Sequence, residues 1–508
     1  MRRLLETSGG YLPAVIALAL PVAFLPSASD SYILPRASIV IAGACLGVGV
    51  ALLIPMATGL GNLRLPLVLA AAAAVLAFAF SISWPLSFAG SYTRYESLPI
   101  RLAYLGLLAS SVWLLRTPRQ RDLVVAAFVF STSVACIKAW IQWAAHVPFR
   151  PDGDLGNANL LAALVVMAAP LAIDRARRGT LFQFAWAAAL IPLAAGLWVT
   201  TSRSGDAGLV AGCLALLAMS VPRRFVAPVG AFAAGVVALA LFFLLKTPLR
   251  TLNDDPPELR LHLWNDGVRL VLGRPLTGWG EDATGLSFGH YLTQDYAGLV
   301  TFDRIHSGPL DVAATQGLLG LAALAWVVGL VLWTAWRRRD MEGVPGLAAA
   351  LVGYSVWVFF NFDWAPATGP FWLLAGVLWS SLSPPHSWGG GPQGPSGVAA
   401  GIAAVGLVVV AVVLAALPIL ADTWYVDGRS DLAVKVDPLQ AQYHWAIGTV
   451  EELRRAAGLG ETEPSMYVQL GDQERLLGDG AAARRAYLRA LEIDPYYTPA
   501  AQRLATLT

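Results

Sequence analysis

Apolar runs long enough to cross a lipid bilayer recur along most of this 508-residue chain. Hydrophobic residues make up 56% of the sequence and charged residues 13%, whereas globular proteins have about 25% charged residues. A transmembrane helix needs about 17–25 mainly apolar residues, and a soluble protein would have to bury all of these runs in one core. The sequence therefore predicts an all-α, polytopic transmembrane helical bundle.

The length of each apolar run predicts about thirteen spans. The first follows Arg2 and Arg3, and we interpret it as a transmembrane helix because no small-residue cleavage site of a signal peptide follows it. The predicted spans lie near residues 11–26, 37–59, 65–84, 98–115, 123–143, 159–173, 181–200, 206–221, 225–246, 308–336, 343–361, 367–382 and 397–421.

Arginine clusters predict the orientation, since cytoplasmic loops are enriched in Lys and Arg. With this span count every cluster falls on one side, which we assign to the cytoplasm: Arg2 and Arg3; Arg116, Arg119 and Arg121; Arg175, Arg177 and Arg178; Arg223 and Arg224; and Arg337 to Arg339. The Pro- and Gly-rich linker 383–396 is also predicted there. The exterior side receives residues 87–97, 147–159, 200–206, 361–365, the long loop 247–306 and the C-terminal tail.

The composition changes after about residue 422, where charged residues become frequent. We therefore predict two domains, a membrane domain at 1–422 and an exterior helical domain at 423–508. Spacings typical of a tetratricopeptide repeat join Tyr467, Leu470, Gly471, Ala483, Tyr487, Ala490 and Pro495. One such repeat with a partial second is too small to bury its own core. The tail should therefore pack on the membrane domain or on a partner, as a docking module or as a helical cap.

The long exterior loop 247–306 ends at His306, the candidate for chemistry. A neutral imidazole there could accept a proton from an attacking hydroxyl, because its pKa lies near ambient pH. A cap or an interfacial residue is the alternative. His146, His262 and His290 are also predicted outside, but they lack the spacing of metal ligands, as do the three scattered cysteines.

Several arginines are predicted on the same exterior face as His306. Arg203 follows hydroxylic residues at the end of a span, where it could bind an anion or serve as an interfacial anchor. Arg260 lies in a predicted helix with an apolar side formed by Leu259, Leu263, Val268 and Leu270, and Arg269 is a further cation on it. Arg94 and Arg150 add positive charge, and Gly278 and Gly280 predict a tight turn around Trp279.

These stretches together resemble the O-antigen ligase and polymerase family of bacterial membrane glycosyltransferases, the Wzy-C type. The matching segments are Gly90–Glu96, Gly153–Asn159, Thr201–Gly205, Arg260 with Trp264, Pro275–Gly280, Phe302–Ser307 and Thr315–Gly320. They keep their order through most of the membrane domain, and repeats like those of the tail follow this domain in many members.

The resemblance implies a C-type glycosyltransferase fold in the bacterial inner membrane and a glycan on undecaprenyl diphosphate as the donor. Arg203 and Arg260 match the arginines that would hold the diphosphate, with Arg94 as a further candidate. His306 matches the proposed base for inverting attack by the acceptor hydroxyl. No metal and no cofactor are implied, because arginine would replace the cation that stabilises a departing diphosphate.

Two other classes of function stay open from the sequence. A transporter or flippase of lipid-linked glycans should have charged residues deep within its spans, whereas Arg101, Lys138, Asp206 and Asp311 lie near span ends. A non-catalytic envelope scaffold would act through the repeat tail. Within the enzyme class the acceptor could be a glycan, a lipid or a protein, and ligase and polymerase are not distinguished. Nothing in the sequence indicates a nucleic-acid partner.

Overall fold

The computed structural model describes residues 8–54, 56–179, 182–228, 230–231, 235, 257–296, 298, 302–383 and 397–507. In these residues helices are the regular secondary structure and no strand is present. The all-α prediction is therefore confirmed.

The membrane half contains most of the long helices. Their bounds are α1 Leu12–Val22, α2 Ile33–Leu53, α3 Arg64–Ala79, α4 Trp84–Ala89, α5 Leu98–Leu114, α6 Pro118–Ala144, α7 Ala158–Ala176, α8 Gln183–Thr200, α9 Arg203–Ser220, α10 Pro257–Gly273, α11 Gly285–Phe288, α12 Gly308–Arg337, α13 Val344–Phe359, α14 Ala365–Leu382, α15 Val398–Ala411 and, after a π-helical segment, α16 Leu417–Val426.

The helices of the membrane half agree with the predicted spans in position. A helix lies at each predicted span within the described residues, while most of the ninth, 225–246, and of the linker 383–396 lies outside them. Seven described helices or helix runs are long and apolar enough to cross a membrane, and α1, α5 and α13 are shorter apolar helices. The chain is thus a polytopic helical membrane protein, and the count of thirteen spans stays a prediction.

Small residues allow the bundle helices to approach closely. A Cβ on Gly208 of α9 would lie 2.9 Å from the carbonyl oxygen of Gly353 in α13, and one on Gly212 would lie 3.1 Å from that of Ala349. Glycine at such positions permits van der Waals packing in lipid, where the hydrophobic effect between helices is weak. Helices α7 and α14 lie at the centre, with most of their side chains buried.

Helix α12 is broken near its start at Gly317, which has φ 70° and ψ −177°. The break leaves the carbonyls of Ala314 and Thr315 to accept hydrogen bonds from the backbone N–H groups of Trp279 and Gly280, at 2.8 and 3.0 Å. Gly278 and Gly280 both have positive φ, and a Cβ on Gly278 would lie 2.4 Å from the Thr315 oxygen. The predicted tight turn with close backbone approach is confirmed.

The tail is a set of short helices docked on the bundle: α17 Ser430–Val436, α18 Ala441–Ile447, α19 Val450–Leu459, α20 Pro464–Leu476, α21 Gly480–Ile493 and α22 Thr498–Ala505. Helices α20 and α21 pack so closely that a Cβ on Gly471 would lie 2.3 Å from the Tyr487 ring. The tail core also includes Leu86 and Leu286 of the membrane half. The tail therefore packs on the membrane half, and its assignment as a tetratricopeptide repeat stays a prediction.

The junction between the two predicted domains is continuous helix, because the run from Val398 extends to Val426. Asp422 within it is buried and accepts hydrogen bonds from the Asp30 backbone N–H at 2.9 Å, from the Tyr92 hydroxyl at 2.7 Å and from the Tyr443 hydroxyl at 3.2 Å. This carboxylate joins an early loop, the segment before α5 and the tail. The boundary at residue 422 stays a prediction.

Candidate functional site

Segments predicted on the exterior side contact one another, or the adjoining ends of predicted spans, at one face of the bundle. The contacts are Arg94 Nε to Asp303 at 2.9 Å, Arg101 Nη1 to Asp363 at 2.7 Å, Arg150 Nη2 to the Thr200 carbonyl at 2.6 Å, the Ser202 hydroxyl to Asn159 at 2.8 Å, and Arg260 Nη1 to the Phe360 carbonyl at 2.7 Å. The segments thus lie on a common side, as alternation of spans requires. Which side of the membrane this is stays a prediction.

A cavity of about 530 Å³ opens among these segments. Its polar lining residues are Thr93, Arg94, Asn157, Asn159, Arg260, His306 and Asn361. Its apolar lining residues are Leu160, Leu259, Leu263, Tyr296, Phe302, Trp357, Phe362 and Trp364. Its volume falls in the usual range of about 300–1,000 Å³ for ligand sites. Cations, amides and aromatic faces together suit a ligand with an anionic part and a sugar part.

His306 lies directly before α12, with its ring in the cavity. Its backbone has φ 56°, in the left-handed region that a residue with a side chain seldom adopts. The ring meets those of Phe302 and Phe362 edge-on, with centroids 5.8 and 5.2 Å apart. Ser307, and not His306, is the N-cap of the helix. The alternative reading of His306 as a helix cap is therefore wrong.

The loop that holds His306 is fixed by buried polar contacts on both sides of the histidine. Arg304 forms an ion pair with Asp282, and both side chains are almost fully buried. The Ile305 N–H donates to Asp311 at 2.8 Å, and the Trp264 indole N–H donates to the His306 carbonyl at 3.3 Å. Burial lowers the pKa of Arg304. These contacts hold the loop in the conformation that points the imidazole into the cavity.

Arg260 enters the cavity from α10, the amphipathic helix predicted in the long loop. Of the residues on its predicted apolar side, Leu263 and Leu270 are buried and Leu259 lines the cavity. Val268, the fourth residue of the predicted apolar side, is 42% exposed. The helical turn places Val268 about 140° from Leu263 around the helix axis. Arg260 Nη1 donates a hydrogen bond to the Phe360 carbonyl at 2.7 Å.

Arg94 also lines the cavity, but its charge is balanced by a neighbour. Its Nε and Nη2 donate to the two oxygens of Asp303, at 2.9 and 3.1 Å. Its guanidinium carbon lies 4.8 and 4.7 Å from the ring centroids of Phe362 and Trp364. The structure therefore places Arg94 in a bidentate pair covered by aromatic rings, an orientation suited to holding Asp303 and the His306 loop.

Arg203 is not among the residues that line this cavity. It is the first residue of α9, directly after Ser202, whose hydroxyl bonds to the cavity residue Asn159. Arg150 donates to the same Asn159 oxygen at 3.4 Å. The structure thus brings Arg94, Arg260 and His306 together in one cavity. Arg203 lies outside its lining, in the segment that contacts the cavity residue Asn159.

A layer of buried charge lies beneath the His306 loop. Arg101 of α5 donates through Nε to Glu281 at 3.1 Å and through Nη1 to Asp363 at 2.7 Å. Glu96 accepts from the Tyr104 hydroxyl at 2.6 Å. Burial raises the pKa of Glu96 to about 7, and the nearby Arg101 charge opposes that rise. This layer connects the segments before α5, after the Gly280 turn and after α13.

The sequence pattern gave no role to Asp303 or Asn361, although both belong to the site. Asn361 lines the cavity, is 5% exposed and donates to the Trp357 carbonyl at 2.9 Å. In the sequence, Asn361 could have been recognised as a site residue because it and Asp363 are polar residues at the end of an apolar span. Asp303 is adjacent to Arg304 and three residues from His306, and its partner Arg94 is remote in sequence.

The tail reaches the same part of the molecule. The Thr284 hydroxyl donates to the Asp303 carbonyl at 3.0 Å, and a Cβ on Gly285 would lie 3.3 Å from Thr462 of the tail. Burial, followed by the charge of Asp303, raises the pKa of Glu463. The docked tail therefore contributes residues close to the cavity wall.

One family model matches the chain. Residues 188–325 match the O-antigen ligase family Wzy_C. The matched region contains Arg203, Arg260 and His306, together with the Gly278 turn and the break in α12. No curated protein matches the sequence. The match supports a membrane enzyme of the glycan-transferring kind, with lipid-linked glycan and an acceptor as its partners.

Proposed function

We propose that this protein transfers a glycan from undecaprenyl diphosphate to an acceptor hydroxyl, with inversion at the anomeric carbon and without a metal ion. The observation that most supports the proposal is one cavity that contains the imidazole of His306 and the guanidinium groups of Arg260 and Arg94. The match of residues 188–325 to the O-antigen ligase family includes two of these three residues.

The chemistry assigned to each residue follows from its type. His306 accepts the proton of the acceptor hydroxyl as its oxygen forms a bond to the anomeric carbon. The bond from that carbon to the diphosphate oxygen breaks, and its electron pair leaves with the diphosphate. Arg260 stabilises that charge, because a guanidinium stays protonated and can bind two phosphate oxygens. Arg203 does not line the cavity; we retain it as a second phosphate ligand in this proposal because it follows Ser202, whose hydroxyl bonds to the cavity residue Asn159.

Arg94 has a different role in the proposal from the one its charge alone suggested. Its two donating nitrogens are engaged by Asp303, so it positions the loop of His306 and contributes only part of its charge to the donor. The amide groups of Asn157, Asn159 and Asn361 supply hydrogen bonds for sugar hydroxyls. The aromatic faces of the cavity provide apolar contact for the sugar ring.

We place the active face and the C-terminus on the exterior side of the bacterial inner membrane, following the arginine distribution. Donor glycans on undecaprenyl diphosphate would meet the cavity there. Deletion of the gene distinguishes the two subclasses, because accumulated lipid-linked single units indicate a polymerase and accumulated long chains indicate a ligase.

The test of the mechanism uses His306→Ala with His290→Ala as the matched control. His290 is exposed and lies outside the cavity lining. Loss of a general base lowers transfer by roughly 10²–10⁴-fold, so His306→Ala should abolish detectable glycan transfer in a complemented deletion strain. His290→Ala should keep it. Membrane insertion and yield are measured for both variants.

Arginine substitutions test the diphosphate site in the same strain. Arg260→Ala should abolish transfer, while Arg269→Ala on the same helix should not, because Arg269 is 53% exposed and outside the cavity lining. Full transfer by His306→Ala and Arg260→Ala, both inserted normally, would reject the mechanism. Accumulation of untransferred donor in these variants would support it over a flippase, whose loss leaves the donor on the inner leaflet.

A further inference from the structure

A second cavity of about 220 Å³ lies on the membrane side of the His306 loop. Most of its lining is apolar and comes from α3, α5, α12, α13 and α14: Ala70, Ala74, Leu105, Pro309, Val312, Leu321, Leu324, Ala325, Val328, Val358, Phe371 and Trp372. Its polar lining residues are Arg101, Tyr104, Gln316, Tyr354, Ser355, Asp363 and Thr368. Ala325 is exposed at the outer surface of α12, so the cavity opens toward lipid. It is smaller than a site for a whole drug-sized ligand, and it suits a segment of alkyl chain with a small head group.

One end of this second cavity is polar. Arg101 and Gln316 both line it, and they are 5% and 2% exposed. Arg101 Nη2 and Gln316 Oε1 have no hydrogen-bond partner among the described residues. Glu281 accepts from Arg101 Nε at 3.1 Å and from Gln316 Nε2 at 2.6 Å, and Arg101 Nη1 donates to Asp363 at 2.7 Å. One donor and one acceptor thus remain available near the same carboxylate.

The charge around this end of the cavity disfavours an anionic ligand. Arg101 lies 3.1 Å from Glu281, 2.7 Å from Asp363 and 3.7 Å from Glu96. Its single positive charge is therefore already matched by carboxylates. A phosphate brought into this low-dielectric environment would meet net repulsion. The unpaired atoms can still bind a neutral group.

We propose that the second cavity binds one alkyl chain of a lipid whose head group is a neutral hydroxyl. A hydroxyl donates one hydrogen bond and accepts others. Its oxygen accepts from Arg101 Nη2, and its O–H donates to Gln316 Oε1. The chain lies along the apolar wall between α3 and α12. This site is separate from the cavity of the proposed glycosyl transfer and does not depend on that function.

The hydroxyl, and not the chain, determines selectivity at such a site. Lipid tails are as apolar as leucine, so moving a chain from the bilayer into the cavity gives little hydrophobic gain. A hydroxyl at this depth in hydrocarbon lacks partners, and a buried Arg101 N–H and Gln316 carbonyl lack them as well. Pairing all three removes their desolvation penalties together.

The test uses photolabelling of the full chain in phosphatidylcholine nanodiscs with a diazirine derivative of hexadecanol. Labelled peptides of α12 are quantified against those of α8, where the lipid-facing Phe184 is 77% exposed. We expect labelling of α12 to be enriched about tenfold. Unlabelled hexadecanol should compete, whereas hexadecane and hexadecyl phosphate should compete at least tenfold less well.

Substitutions at the opening separate the cavity from the surrounding lipid. Ala325→Trp should reduce α12 labelling about tenfold, because the indole closes the opening. Ala322→Trp is the matched control, since Ala322 is exposed on the same helix but does not line the cavity. Equal competition by hexadecane, stronger competition by hexadecyl phosphate, or unchanged labelling of Ala325→Trp would each overturn the proposal.

Discussion

Two ion pairs tie the His306 loop to other segments, and they differ in burial. On the cavity side, the ion pair of Arg94 and Asp303 is 22% and 28% exposed. In the second pair, Arg304 and Asp282 are 2% and 1% exposed. The pairs are similar in chemistry, but only the first can exchange its partner for a ligand or for water.

The difference in burial assigns different tasks to similar residues. A buried ion pair that loses one member leaves an uncompensated charge in a low-dielectric environment. Breaking a partly exposed pair costs much less stability, because water replaces the missing partner. The buried group therefore fixes the loop, whereas the cavity group is available for binding. The positions of the arginines in the sequence do not show which of them form buried ion pairs and which form partly exposed ones.

The largest expected effect is the loss of stability in Asp282→Ala. The substitution leaves Arg304 charged and buried, and it removes the acceptor for the backbone N–H groups of Ser91 and Glu96, at 2.9 and 3.1 Å. We expect the free energy of unfolding to fall by about 3–5 kcal/mol. Thermal unfolding of the purified protein in detergent measures it.

Asp266→Ala is not a suitable control for this substitution, because Asp266 is also buried and bonded to Thr293 and Tyr296. Asp295→Ala is suitable, since Asp295 lies exposed in the same long loop. A change below about 1 kcal/mol in Asp282→Ala, equal to that of the control, would contradict the role of the buried pair.

The sequence predicted the bundle and the cavity residues better than it predicted the buried charges. Spans follow from the length of apolar runs, and Arg260 and His306 follow from their place in a long polar loop. Arg101 and Asp311 could be recognised only as charges near span ends. Their partners, Glu281 for Arg101 and Ile305 for Asp311, depend on which segments meet in three dimensions.

Arg203 shows a second limit of reasoning from the sequence. Its hydroxylic neighbours predicted an anion site, and those neighbours do meet Asn159. The side chain itself is not in the cavity lining, because α9 begins at Arg203 and the helical turn directs successive residues to different sides. Which side a residue faces at a helix start requires the register of the helix, and this register is uncertain by one or two residues in a sequence.

An intermediate effect is expected from the titration of Glu96. Its ordinary pKa is 4.5, and burial raises it to about 7 in the folded protein. The folded state therefore binds more protons than the unfolded state between these values. The contribution of Glu96 to stability should therefore fall as the pH rises from about 4.5 to 7 and should be constant above that. One pKa unit corresponds to about 1.4 kcal/mol, so the fall is roughly 3 kcal/mol.

The variant Glu96→Gln tests whether this pH dependence of stability comes from Glu96. The amide oxygen can still accept from the Tyr104 hydroxyl, but the side chain no longer ionises. The difference in unfolding free energy between the two proteins should therefore grow in favour of Glu96→Gln as the pH rises through this range. Parallel stability profiles of wild type and variant would show that Glu96 has the same pKa in both states.

The smallest expected effect on stability is that of Asp303→Asn. This substitution should change activity more than stability, unlike a substitution in the buried pair of Arg304 and Asp282. The partly exposed pair with Arg94 contributes about 1 kcal/mol. Asparagine has one acceptor oxygen, so Arg94 loses its bidentate partner and its fixed orientation beside His306. We expect glycan transfer to fall about tenfold while the unfolding temperature stays nearly constant, with Asp295→Asn as the matched control.

If Asp303→Asn unfolds as readily as Asp282→Ala, the ion pair of Arg94 and Asp303 stabilises the fold as the buried pair does. If Asp303→Asn is stable and transfers glycan at the wild-type rate, transfer does not need the orientation of Arg94. Of the two arginines that line the cavity, Arg260 would then be the one that transfer requires.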